Sequence, residues 1–236
     1  MADKIPPLTI LIMNVHGNPT ATRRRQAISR VIDDTRPDVV LFQQFRWAGI
    51  RRLYRLSPSY QYKRHENASL MYDSDTVSVD DDDFLQLVID EILAMQNIFY
   101  PVPRMCFTKV MPDTNPVYEF ICISWHGWYN GTKENERINL FMLFMEFLTN
   151  FQAFYDLPML IAGSFNIKRE EIENLVLPPF HLCGYNASER RIDNVTDFYI
   201  ISEELHLEGI RPVVLEEDEE EVLDHDPIIA TLRPRM

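Results

Sequence analysis

Cysteine is scarce in this chain: three residues, Cys106, Cys122 and Cys183, in 236. Odd in number, widely spaced and set among apolar neighbours, they form neither a disulfide framework nor a zinc cage. They read as small buried hydrophobes, which fits a reducing cytoplasmic or nuclear compartment. Linkers are missing as well. The seven glycines and fifteen prolines are scattered, so no Gly/Ser-rich or Pro-rich stretch marks a domain boundary. No internal period of the kind that builds solenoids or propellers is present. The most apolar stretch, Ile138 to Phe154, is interrupted by Glu146, Thr149, Asn150 and Gln152, and the opening residues 1–7 lack the basic-then-apolar layout of a signal peptide. The expectation is a single soluble domain over residues 1–236, without a membrane partner and, at 46% hydrophobic, with a substantial core.

Positive charge is also in short supply. Lys and Arg number 23 against 36 Asp and Glu, a net charge of −13. This argues against generic nucleic-acid affinity, which draws most of its strength from cations displacing counterions at phosphates. The average hides an asymmetry. Residues 1–64 hold twelve Lys/Arg against four Asp/Glu. Arg23, Arg24, Arg25, Arg46, Arg51, Arg52, Arg55, Lys63 and Arg64 therefore offer either a local anion-attracting surface or solvated charges on helix faces.

What is present alternates between strand and helix patterns. Leu8 to Met13 is short, β-branched and apolar, as in a strand buried between layers. After the loop 14–19, Thr20 or Thr22 is placed to cap a helix to about Asp34, with Ala27, Ile28, Val31 and Ile32 on one face. Val39 to Phe42 reads as the next strand, and Leu70 to Tyr72 with Thr76 to Val79 as a strand pair around a polar turn. Asp80 to Asp83 then precede a helix to Met95, at whose positive end they can cap or, alternatively, bind a metal. Met105 to Val110 and Tyr118 to Ser124 form a hairpin pattern. Helical spacing runs unbroken from about Glu136 to Tyr155. Met159 to Ala162 is a strand, Lys168 to Leu175 a short polar helix, and Val195 to Ile201 and Ile228 to Leu232 two further strands. Such a pattern implies layered α/β architecture.

Chemistry-bearing residues lie at the strand ends, where a rigid sheet can hold side chains for a loop-built site. These are Asn14, Gln44, His126, Ser164 with Asn166, and Asp224 with His225. Taken singly, Asn14 and Asn166 can be turn formers and His126 a satisfied core histidine. Asp224-His225-Asp226 before a buried strand is harder to explain structurally, because buried polar groups carry a desolvation cost unless something uses them.

Taken in order, the series resembles the endonuclease/exonuclease/phosphatase superfamily, typified by deoxyribonuclease I, over nearly the whole chain. Met13-Asn14 matches the family's Trp-Asn, and Pro37 to Gln44 its Pro-Asp-(apolar)-Leu-Gln-Glu. Gly163 to Asn166 matches Gly-Asp-Phe-Asn, Asp197 to Ser202 matches Asp-Tyr-(apolar)-Ser, and Asp224 to Ile228 matches Asp-His-x-Pro-Ile. The resemblance implies a four-layer α/β sandwich, two packed mixed β-sheets flanked by helices. It implies Mg²⁺ (or Mn²⁺) as cofactor, held near Asn14, Gln44 and Asp224, since Mg²⁺ prefers oxygen ligands. It places His225 at the scissile phosphate, held by Asp197 or, as a fallback, Asp193. Asn166 and His126 would meet the non-bridging oxygens.

Two departures bear on activity. Gln44 stands where the family has its principal metal-binding Glu, so metal affinity should fall. Ser164 stands where the family has an Asp that orients or deprotonates the attacking water, a task a hydroxyl cannot perform as a base. The acidic run Glu216 to Glu221, a few residues before Asp224, reads as a solvated flexible loop and would repel a polyanion if it faced the site. The resulting expectation is a divergent phosphoesterase-like protein acting weakly on a nucleic-acid or nucleotide phosphodiester, with Arg23, Arg24, Arg25 and Arg46 as phosphate contacts. The alternative is an inactive pseudoenzyme that binds nucleic acid or a protein partner.

Overall fold

The structure, a computed structural model, describes residues 6–17, 21–45, 54–63, 67–80, 83–96, 104–114, 118–128, 133–185 and 196–235. Arg46 and Asp193 lie outside them.

Two six-stranded mixed sheets stack face to face. The first contains β1 (Leu8–Asn14), β2 (Val39–Gln43), β3 (Tyr60–Lys63), β4 (Ala68–Asp73), β11 (Leu205–Pro212) and β12 (Ile228–Pro234), in the order β11-β12-β1-β2-β4-β3. The second contains β5 (Val77–Asp80), β6 (Met105–Pro112), β7 (Phe120–His126), β8 (Met159–Ser164), β9 (Phe180–Cys183) and β10 (Asp197–Ser202), in the order β5-β6-β7-β8-β10-β9. Each sheet has one parallel pair at its centre, β1 with β2 and β7 with β8, and its other pairs are antiparallel. Helix α1 (Thr22–Thr35) makes the crossover in the first sheet and α3 (Glu134–Tyr155) in the second. The remaining helices among the described residues are α2 (Asp83–Met95), α4 (Arg169–Ile172) and α5 (Glu217–Glu220).

Three apolar layers hold the four structural layers together, which is why the central strands are apolar on both faces. Ile10, Leu41, Leu70, Val110, Leu160, Ala162 and Ile201 fill the space between the sheets. Ala27, Ile28, Val31 and Ile32 of α1 cover the outside of the first sheet with Leu11, Met13, Val40 and Phe42. On the outside of the second, α2 and α3 pack over Ile121, Ile123, Ile161 and Ile200. There Phe144 stacks on Trp125 with ring centroids 3.9 Å apart.

Polar bonds cross the inter-sheet layer and fix how one sheet sits on the other. The Tyr199 hydroxyl of the second sheet faces the carbonyls of Ile10 at 3.2 Å and Ile228 at 2.9 Å in the first. From β7, Ser124 donates to the Phe42 carbonyl at 2.9 Å and accepts from Gln43 Nε2 at 3.2 Å.

The structure departs from the local reading in several places. Ala21, not a threonine, occupies the N-cap of α1, without a side-chain cap, and Thr22 is the first helical residue. Strands β4 and β5 do not pair with each other. The turn between them carries the chain from the first sheet to the second, where β5 pairs with β6. Asp80 pairs with Lys109 Nζ at 3.1 Å; of the other aspartates before α2, Asp81 and Asp82 lie outside the described residues. The acidic run is ordered: α5 docks on α1, where Arg30 forks onto the almost fully buried Glu219 carboxylate. Cys106 and Cys122 are buried and Cys183 half-buried, all three as free thiols. No helix among the described residues is long and apolar enough to cross a membrane.

Candidate functional site

Parallel strands bring their C-terminal ends to the same rim, and an antiparallel neighbour contributes its N-terminal end there. Asn14 ends β1, Gln44 follows β2, His126 ends β7 and Ser164 ends β8. Asp197 opens β10 directly opposite Ser164, which on its other side is in register with His126. His225 lies three residues before β12, the antiparallel neighbour of β1. The ordered motifs of the sequence thus meet at one rim, half from each sheet.

The contacts form a chain. His225 Nδ1 donates to Asp197 Oδ2 at 2.7 Å, and Asp197 is itself buried at 1% exposure. This fixes the ring and turns Nε2 toward Asn14, whose Nδ2 donates to it at 3.4 Å. Across the rim, Gln44 Nε2 lies 3.0 Å from His126 Nε2. An amide nitrogen only donates, so with the Gln44 amide in this orientation the His126 nitrogen accepts. Burial, with the nearby Arg104 guanidinium, lowers the His126 pKa to about 3 despite the opposing Asp197 charge, so the ring is neutral at physiological pH.

Backbone conformation is unusual at two of these positions. Gln44 (φ 59°) and Asn166 (φ 56°) are non-glycine residues in the left-handed region, which cluster where function dictates geometry. Asn166 is steadied by its Nδ2 bond to the Gly127 carbonyl at 2.9 Å. Gly163 tolerates no side chain: its φ is 148°, and a Cβ would lie 2.0 Å from the Trp125 carbonyl oxygen. The close strand approach this permits holds Ser164 beside His126.

Local sequence did not point to three contributors. His16, two residues beyond Asn14, binds Asp224 Oδ2 through Nδ1 at 2.9 Å, with both groups half-exposed or more. Arg104 donates through Nη1 to the carbonyls of Gly127 at 2.7 Å and His126 at 3.2 Å, and the same nitrogen is 3.5 Å from His126 Nδ1. Arg137, at the start of α3, donates to the Asn166 carbonyl at 3.0 Å. The spacing of His16 from Asn14 was a usable signal. Nothing near Arg104 or Arg137 in the sequence marks them, because they reach the rim only through tertiary contacts.

The basic segment divides. Arg24 donates to the His16 carbonyl and so braces the loop after β1. Arg25 donates to Thr22 of its own helix at 3.2 Å, and Arg23 faces Glu221 at 3.7 Å.

A divalent ion at Asn14, Gln44 and Asp224 would need oxygen donors and negative charge. Asn14 supplies one suitable atom, its buried Oδ1, which has no hydrogen-bond partner. Gln44 directs its nitrogen at His126, and Asp224 is held by His16. Among the described residues no three His, Cys, Asp or Glu side chains are grouped to hold a metal. One neutral amide oxygen and an engaged carboxylate fall short of the one or two free carboxylates that a Mg²⁺ site usually offers, so these residues would hold the ion only weakly. The Ser164 hydroxyl, wholly buried and unpartnered, stops beneath the cleft surface.

No protein-family model matches the chain, and no curated protein matches it. Solved structures do, over almost its full length. An endonuclease/exonuclease/phosphatase from Bacteroides vulgatus superposes with a TM-score of 0.71 at 16% identity, covering 98% of this chain and 100% of its own. TDP2 of D. rerio, complexed with a single-strand DNA product, gives 0.68 at 15%, covering 97% and 100%. The human nocturnin catalytic domain, with a bound sulfate anion, gives 0.72 at 11%, covering 98% and 95%.

Proposed function

We propose that this chain, which has the deoxyribonuclease I-like fold of the endonuclease/exonuclease/phosphatase proteins, is a divergent phosphoesterase-like protein that engages a phosphodiester of a nucleic acid or nucleotide and hydrolyses it weakly. The observation that carries the reading is the Asp197–His225–Asn14 chain at the rim. A buried carboxylate orients an imidazole whose second nitrogen meets an amide, in an arrangement that a core packed for stability alone has no need of.

The roles follow from the contacts. His225, its Nδ1 held by Asp197, would meet a phosphate oxygen through Nε2 as the doubly protonated imidazolium, giving up the Asn14 bond. Asn14 and Asn166 bring amide donors to non-bridging oxygens, and neutral His126 offers a further polar contact without competing for the phosphate's charge. Attack on phosphorus is poorly served. Gln44 brings no negative charge for a metal, so affinity for Mg²⁺ or Mn²⁺ is reduced. Ser164 can neither reach nor deprotonate a water, and loss of a positioned base slows such reactions by about 10²- to 10⁴-fold.

Two observations favour a second reading, a binding module without turnover: Gln44 and Ser164 are both neutral, and Asp224 is engaged by His16. One experiment addresses both readings. Hydrolysis of a nitrophenyl phosphodiester and of labelled DNA and RNA is measured with Mg²⁺ or Mn²⁺ for the wild type and for Gln44→Glu/Ser164→Asp. Slow turnover that rises about 10²-fold or more in the double variant supports the phosphoesterase reading. Oligonucleotide binding without turnover by either protein supports the binding module. Neither binding nor turnover would remove both.

A further inference from the structure

We infer that the outer helical layer of the second sheet docks a basic amphipathic helix of a partner protein, in the groove that α3 forms with the loop after α4. This face is the outside of the sheet and not its rim, so the inference stands apart from the phosphodiester reading.

A helix that only covers a sheet needs one apolar stripe, and α3 has it: Phe141, Phe144, Met145, Leu148 and Phe151 are buried. Its opposite side is expected to be polar, yet Met142, Leu143 and Phe154 are 48%, 37% and 57% exposed. Leu143, Glu146, Asn150 and Phe154 follow at three- and four-residue intervals, so they share one exposed stripe about 16 Å long. Beside its C-terminal end stands the first turn of α2, where the Phe84 ring lies 6.1 Å from that of Tyr155 and Leu87, one turn on, is exposed. Of the eight large hydrophobic side chains exposed among the described residues, seven lie on α2, α3 or the loop after α4. Exposed apolar residues scattered singly need no explanation, whereas their concentration on one face marks a place where something binds.

Toward the N-terminal half of α3 this surface is concave. Asn139, Met142, Leu143 and Glu146 face Leu175 and Leu177 across a groove of about 470 Å³. Apolar walls flanked by a carboxylate suit a helix that presents leucine-like anchors with a Lys or Arg beside them. Charge selects this occupant over others. Helix α2 contains no Lys or Arg, and the single one in α3, Arg137, turns to the Asn166 carbonyl. Asp90, Glu91 and Glu146 are exposed. An anionic membrane or a nucleic acid would be repelled by such a face. A second copy docked about a two-fold axis would set the stripe against itself, Glu146 included. A partner helix with basic residues bordering its apolar ones meets both the leucines and the carboxylates.

The test is fluorescence anisotropy with the full chain and a labelled helical peptide of about five turns, built from leucine and lysine with the leucines at i, i+3, i+4 and i+7. A peptide with glutamate in place of lysine serves for comparison. Wild type, Glu146→Lys and Leu143→Ser are measured beside Glu203→Lys, which makes the same charge change at the exposed turn between β10 and β11. Circular dichroism confirms folding. The lysine peptide should bind the wild type, Glu146→Lys and Leu143→Ser should each weaken it about tenfold, and Glu203→Lys should leave it within about twofold. The glutamate peptide should not bind. Absence of binding, preference for the glutamate peptide, or equal weakening by Glu203→Lys overturns the inference. Wild-type sedimentation with phosphatidylcholine/phosphatidylserine vesicles that Leu143→Ser abolishes would instead give the face to a membrane. A wild-type dimer in light scattering that Leu143→Ser disperses would give it to a second copy, and either result overturns the inference as well.

Discussion

His126 shows how burial converts a titratable residue into a fixed polar one. Its folded pKa, lowered to about 3 by desolvation and Arg104, lies below the ordinary 6.5. The unfolded chain therefore takes up a proton that the folded chain refuses, and stability present above about pH 6.5 is lost as the pH falls toward 3. The slope is about 1.4 kcal/mol per pH unit from this group. Urea unfolding of the wild type and of His126→Gln between about pH 7 and about pH 4 should show the wild type losing stability faster with acid. Equal slopes would contradict a neutral buried ring. At this scale much was legible: Asn14, Gln44, His126, Ser164, Asn166, Asp197, Asp224 and His225 are all recognisable from flanking motifs, and the structure gathers them at one rim. The pairings were less legible. That Asp224 faces His16 and Gln44 faces His126 depends on side chains from distant strands, and no spacing rule encodes it.

Among elements, α1 and α5 are joined by an ion pair between half-buried Arg30 and buried Glu219. Arg30 binds Glu219 and, four residues along its own helix, Asp34 at 2.7 Å. Burial works against the Glu219 charge, but the Arg30 hydrogen bonds outweigh it and hold the carboxyl below its usual range. Glu219 also accepts the Glu216 N–H at 2.9 Å, capping α5. Glu219→Ala should therefore cost about 1–3 kcal/mol, between an exposed and a fully buried pair, read from the denaturation midpoint. A loss below about 0.5 kcal/mol would mean that the acidic run is solvated, as its composition alone implies. The long periodic elements could be read locally because their packing faces repeat along the chain. Strands β3 and β9 could not, since they are edge strands of only four residues, too short for a pattern to stand out. Strand β11 does alternate, Leu205 and Leu207 inward and His206 and Glu208 outward, but it is not among the elements expected from the sequence. The turn after β4 looked like a hairpin because two apolar runs flank it. Which sheet each run joins is settled by partners far away in sequence.

On the scale of the whole molecule, the site exists because two sheets hold a fixed relative position. Tyr199, buried at the sheet interface, helps to set it, with its hydroxyl aimed at carbonyls of both β1 and β12. Tyr199→Phe keeps the shape and removes the bond, so a loss of about 1 kcal/mol in urea unfolding is expected. No change at all would mean that apolar packing alone sets the alignment. Strand and helix periodicity, the apolar character of the central strands and the ordered polar residues at their ends were determined by the sequence itself, because each follows from side-chain chemistry over a few consecutive residues. Tertiary structure alone decided which carboxylate holds which imidazole, that Arg104 and Arg137 stand at the rim, and that the acidic run folds back on α1. Those outcomes depend on distances between residues far apart along the chain, and only the stacking of the two sheets creates those distances.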